Sequence, residues 1–384
     1  MEVVAPQQEI VEVIKNFGGS AFSKCYQCGM CDTVCPWNRV GQFSMRKLVR
    51  EAALGLTEIE NEDIWRCTTC GKCPLVCPRD VKQIESGIAL RPIATEFDTF
   101  AGAAAPIPGV AASLRAEGNP FGEPRDKRAE WAGSLGVKNF AEEMEFLYSP
   151  GCYLSYDPRA KRIATATAEI LQAAGVSFGI LGKAESCCGE SIRKTGDEAL
   201  FKSLARQNIA AFITRGVKKI LVSSPHCYHS FKNEYPEFSA HFAVVHISEL
   251  IFQLLQEGRL KLTKPLGQSV TFHDPCYLGR HNGIFEPPRA ALKFVPDLEL
   301  REMPESRMNS FCCGGGGGRI WMETPKHERF ANVRLAQAMA TGAQIMATSC
   351  PYCITNFEDS RLGLPADGPG IVIKDITEII RDAL

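Results

Sequence analysis

The sequence predicts an α + α/β protein, in which an all-α N-terminal domain precedes two copies of one α/β domain. Three observations lead to this prediction. Two cysteine runs with identical spacing near the N-terminus are joined by a segment with helical periodicity. The rest of the chain alternates short apolar strands with amphipathic helices. The cysteine pattern of that second part is itself duplicated, at offsets of 124, 125 and 123 residues.

The composition is that of a globular protein with an unusual number of thiols. The 384 residues exceed what one hydrophobic core usually holds, so we expect two or three domains. With 43 Lys and Arg against 44 Asp and Glu, nothing in the net charge of −1 suggests a nucleic acid as partner. The 17 cysteines cannot all pair within the chain, and a reducing cytoplasm does not favour disulfides, so metal ligation is favoured.

Two segments bear on location. Met1–Val13 carries three glutamates and no basic start followed by an apolar run, so we expect no signal peptide and a cytoplasmic protein. The longest low-charge stretch, Ala101–Leu114, is broken by prolines and glycines and is too short to span a bilayer. No direct membrane insertion is therefore expected, and any membrane contact should come through a partner.

Each N-terminal run contains four cysteines followed by proline, spaced C-x2-C-x2-C-x3-C-P. The runs, offset by 42 residues, are Cys25, Cys28, Cys31, Cys35 and Cys67, Cys70, Cys73, Cys77. Ferredoxins hold cubane [4Fe-4S] clusters with this spacing, whereas zinc is usually held by two separated C-x2-C pairs. In two-cluster ferredoxins the fourth cysteine reaches the other cluster. By that analogy the ligand sets are Cys25, Cys28, Cys31, Cys77 and Cys67, Cys70, Cys73, Cys35.

The segments between and after the runs set the first domain boundaries. Apolar residues recur at helical spacing over Gln42–Leu54, before Gly55, so we expect an all-α two-cluster ferredoxin domain over residues 1–95. Residues 96–145 are rich in Ala, Pro, Gly and polar residues, which predicts a linker. Within it we expect a helix around Asp126–Leu135, with Trp131 packed against a neighbouring domain.

A cysteine follows each of four predicted strands. The strands are Phe146–Ser149, Ile220–Ser223, Val270–Phe272 and Ile345–Ala347, and the cysteines are Cys152, Cys227, Cys276 and Cys350. Helical periodicity fills the gaps over Arg159–Ala174, Asp197–Thr214, Ile247–Glu257 and Pro325–Ala340. Because ligands gather at the carboxyl ends of strands in open α/β sheets, these thiols are expected to share a site.

The α/β part divides into a first copy, residues 146–262, and a second copy, residues 263–384. Cys152, Cys187, Cys188 and Cys227 of the first correspond to Cys276, Cys312, Cys313 and Cys350 of the second. Buried inert thiols would not need to match in this way. Cys353 has no counterpart, since Ser230 occupies the equivalent position beside His229.

Together these motifs resemble the catalytic iron–sulfur subunit of heterodisulfide reductases, of the HdrD type or a fused HdrC and HdrB, over nearly the whole chain. The two copies are then CCG domains, named for Cys-Cys-Gly at 187–189 and 312–314. DsrK proteins and the BamD component of class II benzoyl-CoA reductase complexes share the pattern, as do the iron–sulfur subunits of glycolate oxidase and anaerobic glycerol-3-phosphate dehydrogenase. The segment His273–His281 and Pro287–Arg289 are especially similar to HdrD and DsrK.

The resemblance implies that the complete motif, Cys276, Cys312, Cys313, Cys350 and Cys353, holds a noncubane [4Fe-4S] cluster at which disulfide chemistry occurs. The incomplete motif, Cys152, Cys187, Cys188 and Cys227, suits a cubane [4Fe-4S] cluster, a zinc ion or no metal. The glycines at 314–318 are expected to let the backbone approach a cluster closely. His281 and Arg319, with Arg280, are candidates to hold an anionic substrate or donate a proton, the alternative being structural ion pairs.

The sequence thus predicts an electron-transfer and redox-catalytic subunit of a multi-subunit, heterodisulfide reductase-like oxidoreductase, passing electrons through two cubane clusters to the noncubane one. No G-x-G-x-x-G fingerprint follows a strand, so we expect no flavin or NAD in this chain. The partner would be an HdrA-like flavoprotein or a b-type cytochrome subunit. Two alternatives stay open: a pure relay, as in a class II benzoyl-CoA reductase or a membrane cytochrome or quinone-linked complex, and a zinc-containing scaffold.

Overall fold

The computed structural model describes residues 6–18, 20–56, 61–100, 102–364 and 370–384. Of the segments used above to predict location, residues 1–5 and 101 lie outside this described part. The chain forms two compact units. The first consists of Met1–Gly109, Ser191–Leu200 and Gly314–Phe330, and the second of Val110–Glu190, Phe201–Cys313 and Ala331–Leu384. Two short segments of the α/β region therefore belong to the N-terminal unit.

The N-terminal part of the first unit is helical, as predicted. Its helices are α1 (Gln8–Gly18), α2 (Met30–Val34), α3 (Met45–Leu54), α4 (Asp63–Arg66), α5 (Lys72–Leu75), α6 (Gln83–Ile88) and α7 (Arg91–Glu96). The connecting helix α3 begins after Ser44, whose hydroxyl caps it by accepting from the amide of Lys47, and ends at Gly55 with positive φ. The Ser44 cap explains why the helix starts later than the Gln42 predicted from apolar spacing.

The second unit contains two four-stranded parallel sheets of identical topology. The first sheet has β1 (Phe146–Ser149), β2 (Phe178–Gly179), β3 (Lys219–Val222) and β4 (Ala243–His246), in the order β2-β1-β3-β4. The second has β5 (Gln268–Phe272), β6 (Leu298–Leu300), β7 (Ile345–Thr348) and β8 (Val372–Asp375), in the order β6-β5-β7-β8. The equal strand order supports the duplication inferred from the cysteines.

The remaining α-helices cover the sheets and connect the strands. They are α8 (Ile107–Glu117), α9 (Gly151–Tyr156), α10 (Lys161–Ala173), α11 (Glu190–Lys194), α12 (Glu198–Thr214), α13 (Pro225–His229), α14 (Ile247–Gln256), α15 (Glu286–Lys293), α16 (Phe330–Met339), α17 (Pro351–Arg361) and α18 (Ile376–Asp382). The helix predicted from Pro325 starts only at Phe330, because Lys326–Glu328 forms a separate 3-10 turn. Among the described residues, none of these helices has the length and apolar character needed to cross a membrane.

The two copies pack against each other within the second unit. Helix α10 of the first copy contacts α18 of the second, and α14 contacts α15. Arg159 bridges the copies, since it lies 2.8 Å from Glu378 and 3.2 Å from Glu358. The segment predicted as a helix around Asp126–Leu135 is a 3-10 helix over Arg125–Leu135, and its Trp131 packs edge-on against Tyr148 of β1 at 5.9 Å.

Candidate metal centres

Four cysteines drawn from both N-terminal runs line one cavity in the first unit. Cys25, Cys28 and Cys31 lie there together with Cys77 of the second run. Burial raises the pKa of Cys31 to about 12, and the charges of Asp32 and Cys25 act in the same direction. Cys28, in contrast, is exposed to solvent. The structure thus brings together the members of the first predicted ligand set.

The other four cysteines of the runs lie together in a more buried environment. Cys67 and Cys70 are buried, and Cys35 and Cys73 are half-buried. Burial raises the pKa of Cys73 well above its ordinary value, and the charges of Cys67, Cys70 and Cys35 raise it further. The pKa of Cys35 is raised by burial first and then by Cys70 and Cys67. Since burial and like charge both disfavour thiolates, such a group is stabilised by a cationic metal centre.

The local backbone suits ligation of a compact cluster. Gly29 and Gly71, which lie between the second and third cysteine of each run, have φ of +82° and +79° and directly precede α2 and α5. A residue with a Cβ would be strained at these turns. All 17 cysteines of the chain are free thiols. The residues present therefore fit two [4Fe-4S] clusters, which cysteine thiolates hold in sets of four.

The glycine-rich stretch at 314–318 packs against the second run. A Cβ on Gly316 would collide with the carbonyl oxygen of Thr68, and one on Gly317, where φ is +64°, would collide with that of Cys67. The close backbone approach predicted for these glycines is thus observed at Cys67, a member of the second ligand set. The phosphate-binding role that a glycine run can suggest has no support here.

Arg91 joins the segments that meet at this contact. Its guanidinium, which is fully buried, donates to the carbonyl oxygens of Cys67 at 2.9 Å and Gly317 at 2.7 Å. It also donates to those of Ile64 and Lys194, each at 2.8 Å. One side chain therefore fixes the backbone of the second cysteine run to both inserted segments of the first unit. Sequence patterns gave no signal for this role, because Arg91 belongs to no motif.

Arg319 lies in the first unit, beside a cavity of about 520 Å³ that Trp37 and Arg66 also line. Its guanidinium carbon is 5.2 Å from the centre of the Trp37 ring, and it donates to Thr324 Oγ1 at 2.5 Å. Burial and the charges of Arg91 and Arg66 lower the pKa of Arg319 to about 10. The substrate-binding role expected for Arg319 stays a prediction, and these contacts are the ones the structure gives it.

In the first copy, the four cysteines of the incomplete motif form a hydrogen-bonded chain of thiols. Cys152 is hydrogen-bonded to Cys187, Cys187 to Cys188, and Cys188 to Cys227. The position equivalent to Cys353 is filled by Ser230, whose buried hydroxyl donates to Glu234 at 2.9 Å. The first copy therefore offers four sulfur ligands and no fifth.

A buried arginine accompanies these thiols. Arg128, from the segment predicted as a linker, lies 2.6 Å from Glu185 and 3.7 Å from the sulfur of Cys152. Both partners of the ion pair are about 2% exposed. A buried cation beside a thiol favours the thiolate, so Arg128 suits an anionic metal–thiolate centre at this position. No sequence pattern singled out Arg128, because it is distant from the cysteines along the chain.

In the second copy, all five cysteines of the complete motif are buried and lie together. The sulfurs of Cys353 and Cys313 are 3.3 Å apart, Cys276 is hydrogen-bonded to Cys312, and Cys350 to Cys353. His273 has a ring nitrogen within 4.8 Å of the Cys313 and Cys353 sulfurs. Its pKa is lowered well below the usual range by burial and by the charge of Arg334. A neutral imidazole is thus available at this sulfur cluster.

His226 of the first copy reaches the second. Its Nδ1 lies 3.0 Å from Glu190, and its ring is hydrogen-bonded to the thiol of Cys350. Burial opposes its charge, but Glu190 and Cys350 together raise the pKa of His226 to about 10. Burial likewise disfavours the Cys350 thiolate, yet hydrogen bonds from Cys353 and His226 lower the pKa of Cys350 to about 5. The most reactive thiol of the motif is therefore paired with a cation from the other copy.

Stacked rings connect this pair to His281. The His226 ring lies between those of Tyr277 and Tyr352, with centroids 4.1 and 4.3 Å away. Tyr277 stacks in turn on His281 at 4.4 Å, and His281 contacts the ring of His229 at 5.5 Å. His281 thus belongs to a continuous aromatic stack that ends at the buried sulfur site. Its predicted role as a proton donor stays a prediction.

Arg280, the third polar candidate, has a structural role. It donates to the backbone carbonyl oxygens of Met308 at 3.2 Å and Ser310 at 2.7 Å. Its charge also lowers the pKa of Cys276, against the larger effects of Cys312 and burial. These contacts agree with the structural alternative for this residue.

Comparison with known protein families gives two matches. A 4Fe-4S dicluster domain matches residues 21–81, and a cysteine-rich domain named CCG matches residues 146–232 and 270–358. The matches cover both cysteine runs and both α/β copies. They confirm the two kinds of domain that the motifs predicted.

Several curated proteins are similar to most of this chain. The probable iron-sulfur-binding oxidoreductase FadF of Bacillus subtilis is 37% identical over 85% of this chain and 47% of its own length. The EtfAB:quinone oxidoreductase of Syntrophomonas wolfei is 35% identical over 87% of this chain and 48% of its own length. The HdrD polypeptide of the dihydromethanophenazine:CoB–CoM heterodisulfide reductase of Methanosarcina barkeri is 33% identical over 69% and 65%, respectively. The chain thus spans about half the length of the first two relatives.

Proposed function

Because this chain belongs to the CCG-domain iron–sulfur proteins related to HdrD of heterodisulfide reductases, we propose that it is an electron-transfer and redox-catalytic subunit of a multi-subunit oxidoreductase. Cubane [4Fe-4S] clusters would be held by Cys25, Cys28, Cys31, Cys77 and by Cys67, Cys70, Cys73, Cys35. A noncubane [4Fe-4S] cluster would be held by Cys276, Cys312, Cys313, Cys350 and Cys353. When bound, these groups supply one-electron carriers and a centre for the two-electron, two-proton reduction of a disulfide to two thiols.

The observation that carries the proposal is the convergence of five buried cysteines in the second copy. A cubane cluster uses four thiolates, so a fifth in the same site supports a different kind of centre. Cys350 has the properties of a reactive thiolate, because its pKa is lowered to about 5 where Cys353 and His226 bond to it. The aromatic stack would then position His281 to deliver a proton to a substrate thiolate.

For the first copy we propose a metal centre of four thiolates, a cubane cluster or a zinc ion. Cys152, Cys187, Cys188 and Cys227 have the number and proximity of ligands that either requires. The buried cation of Arg128 favours the more negatively charged iron–sulfur centre. Metal analysis of the same preparation decides between the two.

A pure electron relay is the second candidate function. The Syntrophomonas wolfei relative is named an EtfAB:quinone oxidoreductase, and this name favours a subunit that passes electrons toward a quinone-linked or cytochrome-linked complex. Under either candidate we expect a partner subunit, an HdrA-like flavoprotein or a b-type cytochrome. We place the chain on the cytoplasmic side, attached to a membrane through such a partner. A zinc scaffold is disfavoured by eight cysteines with ferredoxin spacing.

Iron and sulfide analysis of anaerobically purified protein, with EPR during a redox titration, tests the proposal. About eight irons would leave only the two cubane clusters, about twelve would add one further cluster, and about sixteen would add two. Cys353→Ser should abolish the spectrum of the noncubane cluster and the reduction of a small disulfide. Ser230→Ala, at the equivalent position of the first copy, is the matched control and should change neither. If Cys353→Ser kept both, the ligand set would be wrong, and iron without disulfide reduction in the unaltered protein would favour the relay.

A further inference from the structure

We propose that an acidic, electron-carrying protein docks on the surface around Cys28, here called the Cys28 face and defined by Tyr26, Cys28, Met30, Leu75 and Arg79. The inference rests on the proposed function, because it assumes a cluster on Cys25, Cys28, Cys31 and Cys77. One electron would pass between that cluster and the partner in each encounter, so that one is reduced as the other is oxidised and no covalent bond changes. The proposal names the chemistry of the partner and where it binds.

Solvent access distinguishes this face from the other ligand sets. Of the 17 cysteines, Cys28 alone is exposed. The second set contains the buried Cys67 and Cys70, and every cysteine of the second copy is buried. Because electron transfer weakens with distance from the carrier, the exposed set is the place where an external protein can approach a cluster most closely.

The centre of the face is apolar. Tyr26, Met30 and Leu75 are 60%, 45% and 50% exposed, which makes them three of the large hydrophobic side chains that the described structure leaves open to solvent. Tyr26 and Met30 line the same cavity as Cys28, and Leu75 lies on α5, which packs against α2. Clustered exposed apolar side chains mark interaction sites more often than isolated ones.

The surroundings of the face are strongly basic, although the whole chain is nearly neutral. In residues 24–50 and 70–82, eight of the ten charged side chains are Lys or Arg, against 43 basic and 44 acidic residues in the full chain. The two acids are already paired, Asp32 with Arg46 at 3.5 Å and Asp80 with Lys82 at 3.0 Å. Among the described residues Arg79 has no ion-pair partner, and it lies close to Tyr26 and in the lining of the cavity.

These features match a weak, electrostatically guided complex. Electron-transfer encounters bury little area, with an apolar centre inside a charged rim, and complementary charge raises the rate of association. A basic rim selects an acidic partner. The same charge would attract DNA or anionic lipid, but neither explains why exposed apolar side chains surround a cysteine ligand.

The test measures electron transfer and binding between the full, anaerobically prepared protein and a reduced two-cluster ferredoxin with an acidic surface, used as the probe. Arg79→Glu should lower the second-order rate constant by about tenfold at low salt, and the difference should largely vanish at about 0.5 M salt. Tyr26→Ser should weaken binding at both salt concentrations, because it removes apolar contact. Lys218→Glu, an exposed charge reversal in the second unit, is the matched control and should have little effect.

Iron content and the EPR spectrum of every variant separate the two possible failures. Protein without cubane iron would overturn the proposed function itself. If the clusters are present and Arg79→Glu slows the probe no more than Lys218→Glu does, the Cys28 face is not the docking site. Binding of a DNA duplex or of phosphatidylserine vesicles that depends on Arg79 and is tighter than binding of the ferredoxin would overturn the choice of an acidic protein.

Discussion

Adding one methyl group at Gly317 tests whether the glycine stretch exists to bring two backbones together. Gly317 has φ of +64°, and a Cβ there would collide with the carbonyl oxygen of Cys67. Gly136 has the same φ of +64° but nothing within 4 Å of where a Cβ would lie. The pair Gly317→Ala and Gly136→Ala therefore separates the cost of backbone conformation from the cost of the close contact.

The expected magnitudes follow from these two environments. A left-handed conformation costs an alanine about 1 kcal/mol, so Gly136→Ala should lower the free energy of unfolding by about that amount. Gly317→Ala carries the same cost and adds about 1–3 kcal/mol for forcing a methyl group into a packed site. It also displaces the carbonyl oxygen that accepts from Arg91 at 2.7 Å, a bond to a charged donor that stabilises by about 1.5–3 kcal/mol. We expect a total loss of about 3–5 kcal/mol.

Urea unfolding of the metal-loaded protein, followed by tryptophan fluorescence, measures the difference, since Trp37 and Trp65 lie in the first unit. EPR of the reduced protein should show that Gly317→Ala alters one cubane signal and leaves the other unchanged. In an Arg91→Met background the two losses should not add, because both act on the same carbonyl oxygen. Equal unfolding midpoints for Gly317→Ala and Gly136→Ala would refute the packing role of the glycine.

Two further outcomes concern the second unit. His226→Gln removes the cation that lies 3.0 Å from the buried Glu190, so it should lower the free energy of unfolding by about 3–5 kcal/mol, and adding Glu190→Gln should recover most of that loss; a double variant no more stable than the single one would contradict this pairing. Burial raises the pKa of Asp375 from 3.8 to about 7, with Glu378 acting in the same direction and Thr377 and Arg159 against it. The protonated carboxyl is then the stabilising form, so its contribution is complete below about pH 4 and is lost as the pH rises through 7, at up to about 1.4 kcal/mol per pH unit. Comparing the wild type with Asp375→Asn across pH 4–8 measures this slope, and parallel curves would contradict it.

The fold was predictable where periodicity and repetition are strong. The strands that precede Cys152, Cys227, Cys276 and Cys350 are central in their sheets, fully or largely buried, and rich in apolar residues. The four strands that sequence analysis missed, β2, β4, β6 and β8, are edge strands of two to four residues. At an edge only one neighbour pairs with the strand, so short and partly polar segments suffice and leave little signal.

The candidate site was predictable as far as its cysteines and no further. Spacing identifies ligands because a cluster demands sulfur atoms at fixed separations along the chain. Arg91, Arg128 and His226 act across long sequence distances, and each is chosen by a local cavity that only the folded chain creates. His226 is the direct neighbour of Cys227 in the sequence, yet its bond is to Cys350 of the other copy. Its position in the sequence gives no sign of that partner.

The composition of the first unit also constrains how the protein can be made. This unit needs Ser191–Leu200 and Gly314–Phe330 as well as the N-terminal segment. The ribosome produces the cysteines of both runs early, but the segments that bond to Arg91 and cover Trp37 arrive only when most of the chain has been translated. A fragment that stops after residue 95 would expose the apolar side chains that these segments bury. We therefore expect the second cubane cluster to become stable only late in synthesis, after the α/β copies have begun to fold.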